Sequence, residues 1–209
     1  MALMDNIGSL VGALMQPDQN QEGQELAKRA DVDSNNFSKI ASLGLPLLLQ
    51  GINRNTQDSS GLESFNQALN QHQERNNYDS LSQFAQNVDT QDGDKILNHV
   101  LSGEKEEVSS GLANRLGVDG QSVTRVLAIL APIVMKYLAD QKREKNLGAQ
   151  DVHHENQNVL QEVIRQVQHQ NGSSQSGLGM LGGLLGLGND SNKQQKDSGL
   201  LGDVFNLFK

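Results

Sequence analysis

Apolar residues recur along this chain at spacings of three and four, which is the period of a helix with one apolar face. Only 35% of the 209 residues are hydrophobic and 3% are aromatic, so we expect a small core with long solvated connections. The sequence therefore predicts an all-α fold, a small helical bundle. The pattern places helices over residues 3–15, near residues 62–69 and 81–88, over residues 95–101 after an Asp94 cap, and from residue 104 onward.

One segment of the chain occurs twice. The sequence LAKRADVD at residues 26–33 returns as LANRLGVD at residues 112–119, an offset of 118 − 32 = 86 positions. The correspondence continues from residues 37–40 to 123–126 and from residues 46–49 to 132–135. Such a repeat indicates duplication. We expect two related helix-turn-helix-like units that share one core, in a duplicated all-helical domain over residues 1–148.

Each repeat carries a proline inside an apolar run, Pro46 in the first and Pro132 in the second. Proline lacks the backbone N–H and clashes with the preceding turn, at a cost of about 3 kcal/mol in a helix interior. We therefore expect each run to be kinked or split there, as a buried bend.

Residues 149–170 form a separate amphipathic helix in the predicted organisation, with a stripe of valines widened by Leu160 and Ile164. The stripe has two possible partners: the core of the same chain, which we favour, or another chain. On the second alternative, the candidate partner contacts are Val159, Val163 and Val167.

Residues 171–209 are predicted to form a flexible tail rich in Gly, Ser and Leu, with apolar segments at residues 179–188 and 199–209. Leu201, Phe205 and Phe208 are candidate partner contacts. The last segment could also serve as a peripheral membrane anchor, although Asp203 and the net charge of −8 disfavour anionic lipid. No run of about 18 apolar residues occurs, so no transmembrane segment is expected.

Residues 112–127 resemble the helix-turn-helix of lac-repressor-type regulators, with Gly117 suited to a left-handed turn. On the second helix, Gln121, Ser122, Thr124 and Arg125 are expected to lie outward, where they could contact nucleic acid. The charge disfavours this use: the pI is near 5.0, and residues 104–145 carry only 7 − 6 = +1. A structural role for the motif is therefore favoured, with DNA binding as an alternative.

The sequence gives little support for a catalytic or metal-binding site. The chain has no cysteine, which excludes thiolate chemistry and disulfides. Neither the adjacent His153 and His154 nor the acidic residues 89–94 have metal-ligand spacing, and His99 fits a buried, hydrogen-bonded role in a short apolar helix. We expect no catalytic, cofactor-binding or metal-binding residues, and no enzyme. The N-terminus carries Asp5 and lacks a basic head, so a cytoplasmic location is expected.

Residues 92–103, DGDKILNHVLSG, together with the second repeat as far as residue 135, resemble the YidB-like bacterial proteins of unknown function. The resemblance spans most of residues 1–148 and the character of the tail. It implies a small all-helical bacterial protein and supplies no catalytic residue or cofactor. We therefore expect a non-enzymatic protein–protein interaction or assembly module, with a protein partner or self-association.

Overall fold

The computed structural model describes residues 7–75 and 81–170, which form α-helices joined by short connections and one 3-10 turn at Pro17–Gln19. The predicted all-α bundle is confirmed. The helices are α1 (Ile7–Met15), α2 (Gln21–Arg29), α3 (Ser34–Asn55), α4 (Ser59–Arg75), α5 (Leu81–Asn87), α6 (Thr90–Val100), α7 (Lys105–Leu116), α8 (Gly120–Glu144) and α9 (Ala149–Gln170).

Helix α8 lies at the centre of the bundle and packs against α3, α4, α6, α7 and α9. It crosses α3 closely at Gly44, where a Cβ would lie 2.6 Å from Cδ2 of Leu127. Among the described helices, only α8 is long and apolar enough to cross a bilayer, and 89% of its most apolar window is buried in the bundle. That burial is typical of a core helix.

The two repeats begin their long helices with the same cap. The side chain of Asp33 accepts the N–H of Asn36 at 2.9 Å, and that of Asp119 accepts the N–H of Ser122 at 2.8 Å. Each aspartate satisfies an N–H that has no partner within its helix. Both cap residues and both donors are 86 positions apart, so the two helices start in equivalent ways.

The turns before these caps also correspond. Asp31 has a φ of 54° and Gly117, 86 positions later, has a φ of 67°, so both residues adopt the left-handed backbone conformation. The valine that follows each of them donates its N–H to the carbonyl five residues earlier, at 3.1 Å in both repeats. Glycine tolerates this conformation freely, whereas the aspartate carries a steric cost. The two turns share one geometry despite different residues.

The duplication is longer than the sequence motif. Helix α6 lies at the offset of 86 from α1, so that buried Val11 corresponds to buried Leu97. Helix α9, shifted back by 86, overlaps α4 in its range of residues, although the apolar positions of the two helices do not coincide at this offset. In element order, α1–α4 thus corresponds to α6–α9, with α5 between them. The sequence does not show the correspondence of α4 with α9, because Phe65 and Leu69 fall on Asp151 and Glu155.

Both proline-containing helices are continuous and buried at the proline, so of the expected kink or split at Pro46 and Pro132 the split does not occur. Pro132 leaves the carbonyl of Ala128 without its usual i+4 donor. Gly93 of α6 lies directly against this carbonyl, because a Cβ on Gly93 would overlap the oxygen and lie 2.7 Å from the carbonyl carbon. A Cα–H···O contact is available there. Burial on all sides offsets the lost hydrogen bond.

Helix α6 begins earlier than the sequence predicted. Its N-cap is Asp89, whose side chain accepts the N–H groups of Gln91 and Asp92, so the expected cap at Asp94 is wrong. Asp94 lies inside the helix and pairs with Lys105 at 3.4 Å. Sequence reasoning placed the start at the first apolar residues, because the polar first turn of α6 has no apolar periodicity.

The valine stripe of α9 packs on its own chain, against α1, α3, α4 and α8. Buried Asn156 fixes the register by donating its side-chain N–H to the carbonyl of Leu49 at 3.0 Å. The favoured alternative, docking on the same core, is therefore right, and the alternative partner contacts are wrong, since Val159, Val163 and Val167 are at most 4% exposed. Leu201, Phe205 and Phe208 lie outside the described residues.

Candidate functional site

A groove of about 580 Å³ runs between α4 and α6. Both helices pack on α8, and Met135 of α8 and Ile52 of α3 lie at its floor. We call it the α4/α6 groove. Its α4 wall is Ser60, Gly61, Ser64, Phe65, Ala68, Gln71 and His72, and its α6 wall is Asp92, Lys95, Ile96, His99 and Val100.

The walls follow from helical periodicity, since residues three and four apart share one face. Phe65 and Ala68 of α4 and Ile96 of α6 are only partly buried, and they pack on the core with their inner sides. Their remaining apolar surface faces the groove. The base of the groove is therefore apolar, although both helices have polar outer faces.

One end of the groove is closed by a contact between a histidine and an aspartate. Nε2 of His72 lies 3.2 Å from Oδ2 of Asp92, and the two side chains are 11% and 29% exposed. Because His72 is on α4 and Asp92 is on α6, the pair connects the two walls. It gives the groove a fixed width at this end.

The other end is held from below by α3. The side chain of Asn55 donates to the carbonyls of His99 and Val100, at 3.0 and 3.1 Å. These carbonyls belong to the last turn of α6, which has no intrahelical donors for them. Asn55 thus ties the end of α3 to the end of α6 beneath the groove.

The rim of the groove carries charges of both signs. Lys95 and His99 are exposed on α6, which corrects the expectation that His99 is buried. Arg54 lies in the last turn of α3, and Asp58 directly precedes α4. An apolar base with a mixed polar rim is suited to bind an amphipathic segment. Within residues 7–75 and 81–170, no group of three or more His, Asp or Glu residues could hold a metal ion.

The residues expected to contact nucleic acid are mostly engaged within the chain. Gln121 is exposed, but Ser122 is 7% exposed and donates its hydroxyl to Oδ2 of Asp119 at 2.5 Å. Hydrogen bonds from the Ser122 hydroxyl and N–H hold the pKa of Asp119 below its usual value. The hydroxyl of Thr124 donates to the carbonyl of Gly120 at 3.0 Å. The expectation of an outward Ser122 is wrong, because its side chain belongs to the cap.

Arg125 reaches across to the first repeat and does not point freely outward. Its Nε donates to the carbonyl of Ala30 at 2.7 Å and its Nη2 to that of Asp31 at 3.3 Å. These carbonyls end α2, where the helix dipole favours a cation. A second cavity beside this contact is lined by Asp18, Asp31 and Asp33, which would repel phosphate. The expected outward orientation of Arg125 is wrong.

Replacing Arg125 with alanine is expected to destabilise the bundle by about 1 to 2 kcal/mol, because two carbonyls at the end of α2 lose a charged donor. The free energy of unfolding in urea measures this effect. Lys39 is the matched control, since it occupies the equivalent position of the first repeat and is exposed. Lys39→Ala should change the stability by less than about 0.5 kcal/mol. Equal effects of the two substitutions would contradict this role of Arg125.

The α4/α6 groove has no direct signature in the sequence. The sequence does not indicate the contact of His72 with Asp92, because Asp92 lies 20 positions later on another helix. One signal was available: α4 has apolar residues at 65, 68 and 69, of which only Leu69 is fully buried. Apolar residues left half-exposed on a surface helix indicate a contact surface.

Comparison with known proteins gives one match. A family model described as "Bacterial protein of unknown function (DUF937)" matches residues 5–141, more than half of the chain. This match is consistent with the predicted resemblance to YidB-like bacterial proteins of unknown function. No curated protein and no solved structure matches the chain.

Proposed function

We propose a role in protein–protein interaction for this chain, which belongs to DUF937, a family of bacterial proteins of unknown function. The α4/α6 groove binds one amphipathic helix of a partner protein, and the chain acts without catalysis. The observation that carries this proposal is the apolar base of the groove, formed by Phe65, Ala68 and Ile96 beneath a charged rim.

The length of the groove fits two turns of a helix. From Gly61 to His72 its α4 wall covers eleven residue steps, or about 17 Å at 1.5 Å per residue. A helix bound in a groove uses anchors at i, i+3, i+4 and i+7, which cover about 11 Å. Two turns of a partner helix therefore fit along the length of the groove.

The chemistry of the walls sets the kind of helix that fits. Apolar anchors of the helix would cover the exposed sides of Phe65 and Ile96. Burying this apolar surface contributes about 25 cal/mol of hydrophobic free energy for each Å² removed from water. Polar flanks of the helix remain beside Asp58 and Lys95, where rim charges give orientation more than affinity. A helix with an apolar stripe and polar residues beside it matches this surface.

The nucleic-acid alternative has less support from the geometry. Arg125 is held by the carbonyls of Ala30 and Asp31, and the cavity that also includes Asp31 is lined by more acidic residues than basic ones. A helix that reads DNA needs exposed basic and polar side chains at its start. On α8, Gln121 alone among the four candidate residues is fully exposed.

A photo-reactive benzoylphenylalanine at position 64, in the full chain within living bacteria, tests the proposal. Ser64 is exposed on the groove wall, whereas Gln67 is exposed on α4 outside the groove. Illumination should cross-link position 64 to a discrete protein, and position 67 should give no such product. Ile96→Glu, with its fold checked by thermal melting, should abolish the product. Equal cross-linking at both positions, or none at position 64, would contradict a helix-binding groove.

A further inference from the structure

We propose that the α4/α6 groove is occupied, in the absence of a partner, by residues 200–208 of the same molecule, bound as an amphipathic helix. This inference rests on the proposed function, since it requires that the groove accepts a helix. It makes the chain self-inhibited, because a partner helix must displace the internal one before it binds.

The segment has the pattern that a groove-bound helix needs. Leu201, Val204, Phe205 and Phe208 stand at i, i+3, i+4 and i+7. Asp203 falls on the opposite side of such a helix and stays in water. Three of the four anchors are large enough to reach the apolar base, where Phe65 and Ile96 have open surface.

The position of α9 sets the distance that the connecting residues must span. Helix α9 starts beside the groove, because Nδ1 of His153 lies 2.7 Å from Oγ1 of Thr56, which directly follows the groove residue Asn55. From His153 to its end at Gln170, α9 covers 17 residue steps, or about 25 Å. The chain must therefore return about 25 Å to reach the groove.

The connecting residues have a matching length. Residues 171–199 number 29 and are rich in Gly, Ser, Gln and Asn. For a glycine-rich linker of this length, the root-mean-square span is about 27 to 32 Å, from 5–6 Å times the square root of the number of residues. The effective concentration of a tethered ligand is highest when this span matches the distance required, and it reaches the millimolar range. Intramolecular occupancy is thus favoured over binding of a second copy.

Tryptophan fluorescence of full-length Phe205→Trp tests the inference, because the natural chain contains no tryptophan. When the segment is docked, the indole of the Phe205→Trp variant should emit at shorter wavelength than that of Asn206→Trp, which lies on the polar side of the segment. It should also be quenched less by acrylamide. Adding Leu201→Asp should return the emission to that of a solvated tryptophan without touching the bundle. Adding Ile96→Glu should do the same, with the fold checked by circular dichroism.

Other occupants give different results and would overturn the inference. A second copy would make the shift depend on protein concentration, and a membrane anchor would require vesicles of phosphatidylglycerol and phosphatidylethanolamine for any shift. A shift that survives Ile96→Glu would place the segment elsewhere. If the tryptophan of Phe205→Trp is solvated while position 64 still cross-links to another protein, the internal occupant is wrong and the proposed function stands.

Discussion

Gly93→Ala is expected to destabilise the bundle by about 3 kcal/mol, because the added methyl group has no room between α6 and α8. The new Cβ would overlap the carbonyl oxygen of Ala128 and lie 2.7 Å from its carbonyl carbon. Both atoms belong to the backbone of α8, so no side chain can rotate away. Helices α6 and α8 would have to separate, which loosens the packing around buried Leu97.

The sign of this effect makes it informative. Glycine inside a helix costs about 0.5 to 1 kcal/mol relative to alanine, so helix propensity alone predicts that Gly93→Ala stabilises the protein. Gly12 in α1 is the control, because a Cβ there would meet no atom within 4 Å. Gly12→Ala should raise the free energy of unfolding in urea. Stabilisation by both substitutions would disprove the close approach of α6 to α8.

The sequence reveals the central helices better than their contacts. The repeat and the left-handed conformation of Gly117 could be predicted from local sequence patterns, because each depends on residues within a few positions. The role of Gly93 was not visible, since the carbonyl it meets belongs to a helix 35 positions later. The glycine of the Asp-Gly-Asp motif is explained only by that contact.

The candidate site was harder to predict for the same physical reason. Helical periodicity shows that Arg125 points away from the axis of α8, but not that the end of α2 lies above it. The α4/α6 groove depends on where α4 and α6 pack on α8, and on the contact between the side chains of His72 and Asp92. Tertiary placement of surface helices is set by long-range packing, which a single sequence does not display.

Asp140→Ala is expected to lower the free energy of unfolding by about 3 to 5 kcal/mol, because it leaves the ammonium of Lys136 buried without its partner. Nζ of Lys136 lies 2.8 Å from Oδ2 of Asp140, one turn later on α8, and the two side chains are only 7% and 9% exposed. Arg143 also reaches Asp140, at 3.4 Å, but it is 54% exposed and stays solvated when the carboxylate is removed. Urea unfolding measures the loss.

The double substitution Lys136→Met with Asp140→Leu separates the net value of the pair from the penalty of breaking it. Burying two charges costs about as much as their attraction returns, so an apolar pair of similar volume should restore most of the stability. Glu162 and Arg165 on α9 are the exposed comparison, at 27% and 66% exposure, and Glu162→Ala should cost less than about 1 kcal/mol. A double variant as unstable as Asp140→Ala would show that α8 needs the ion pair itself, and not only the absence of an unpaired charge.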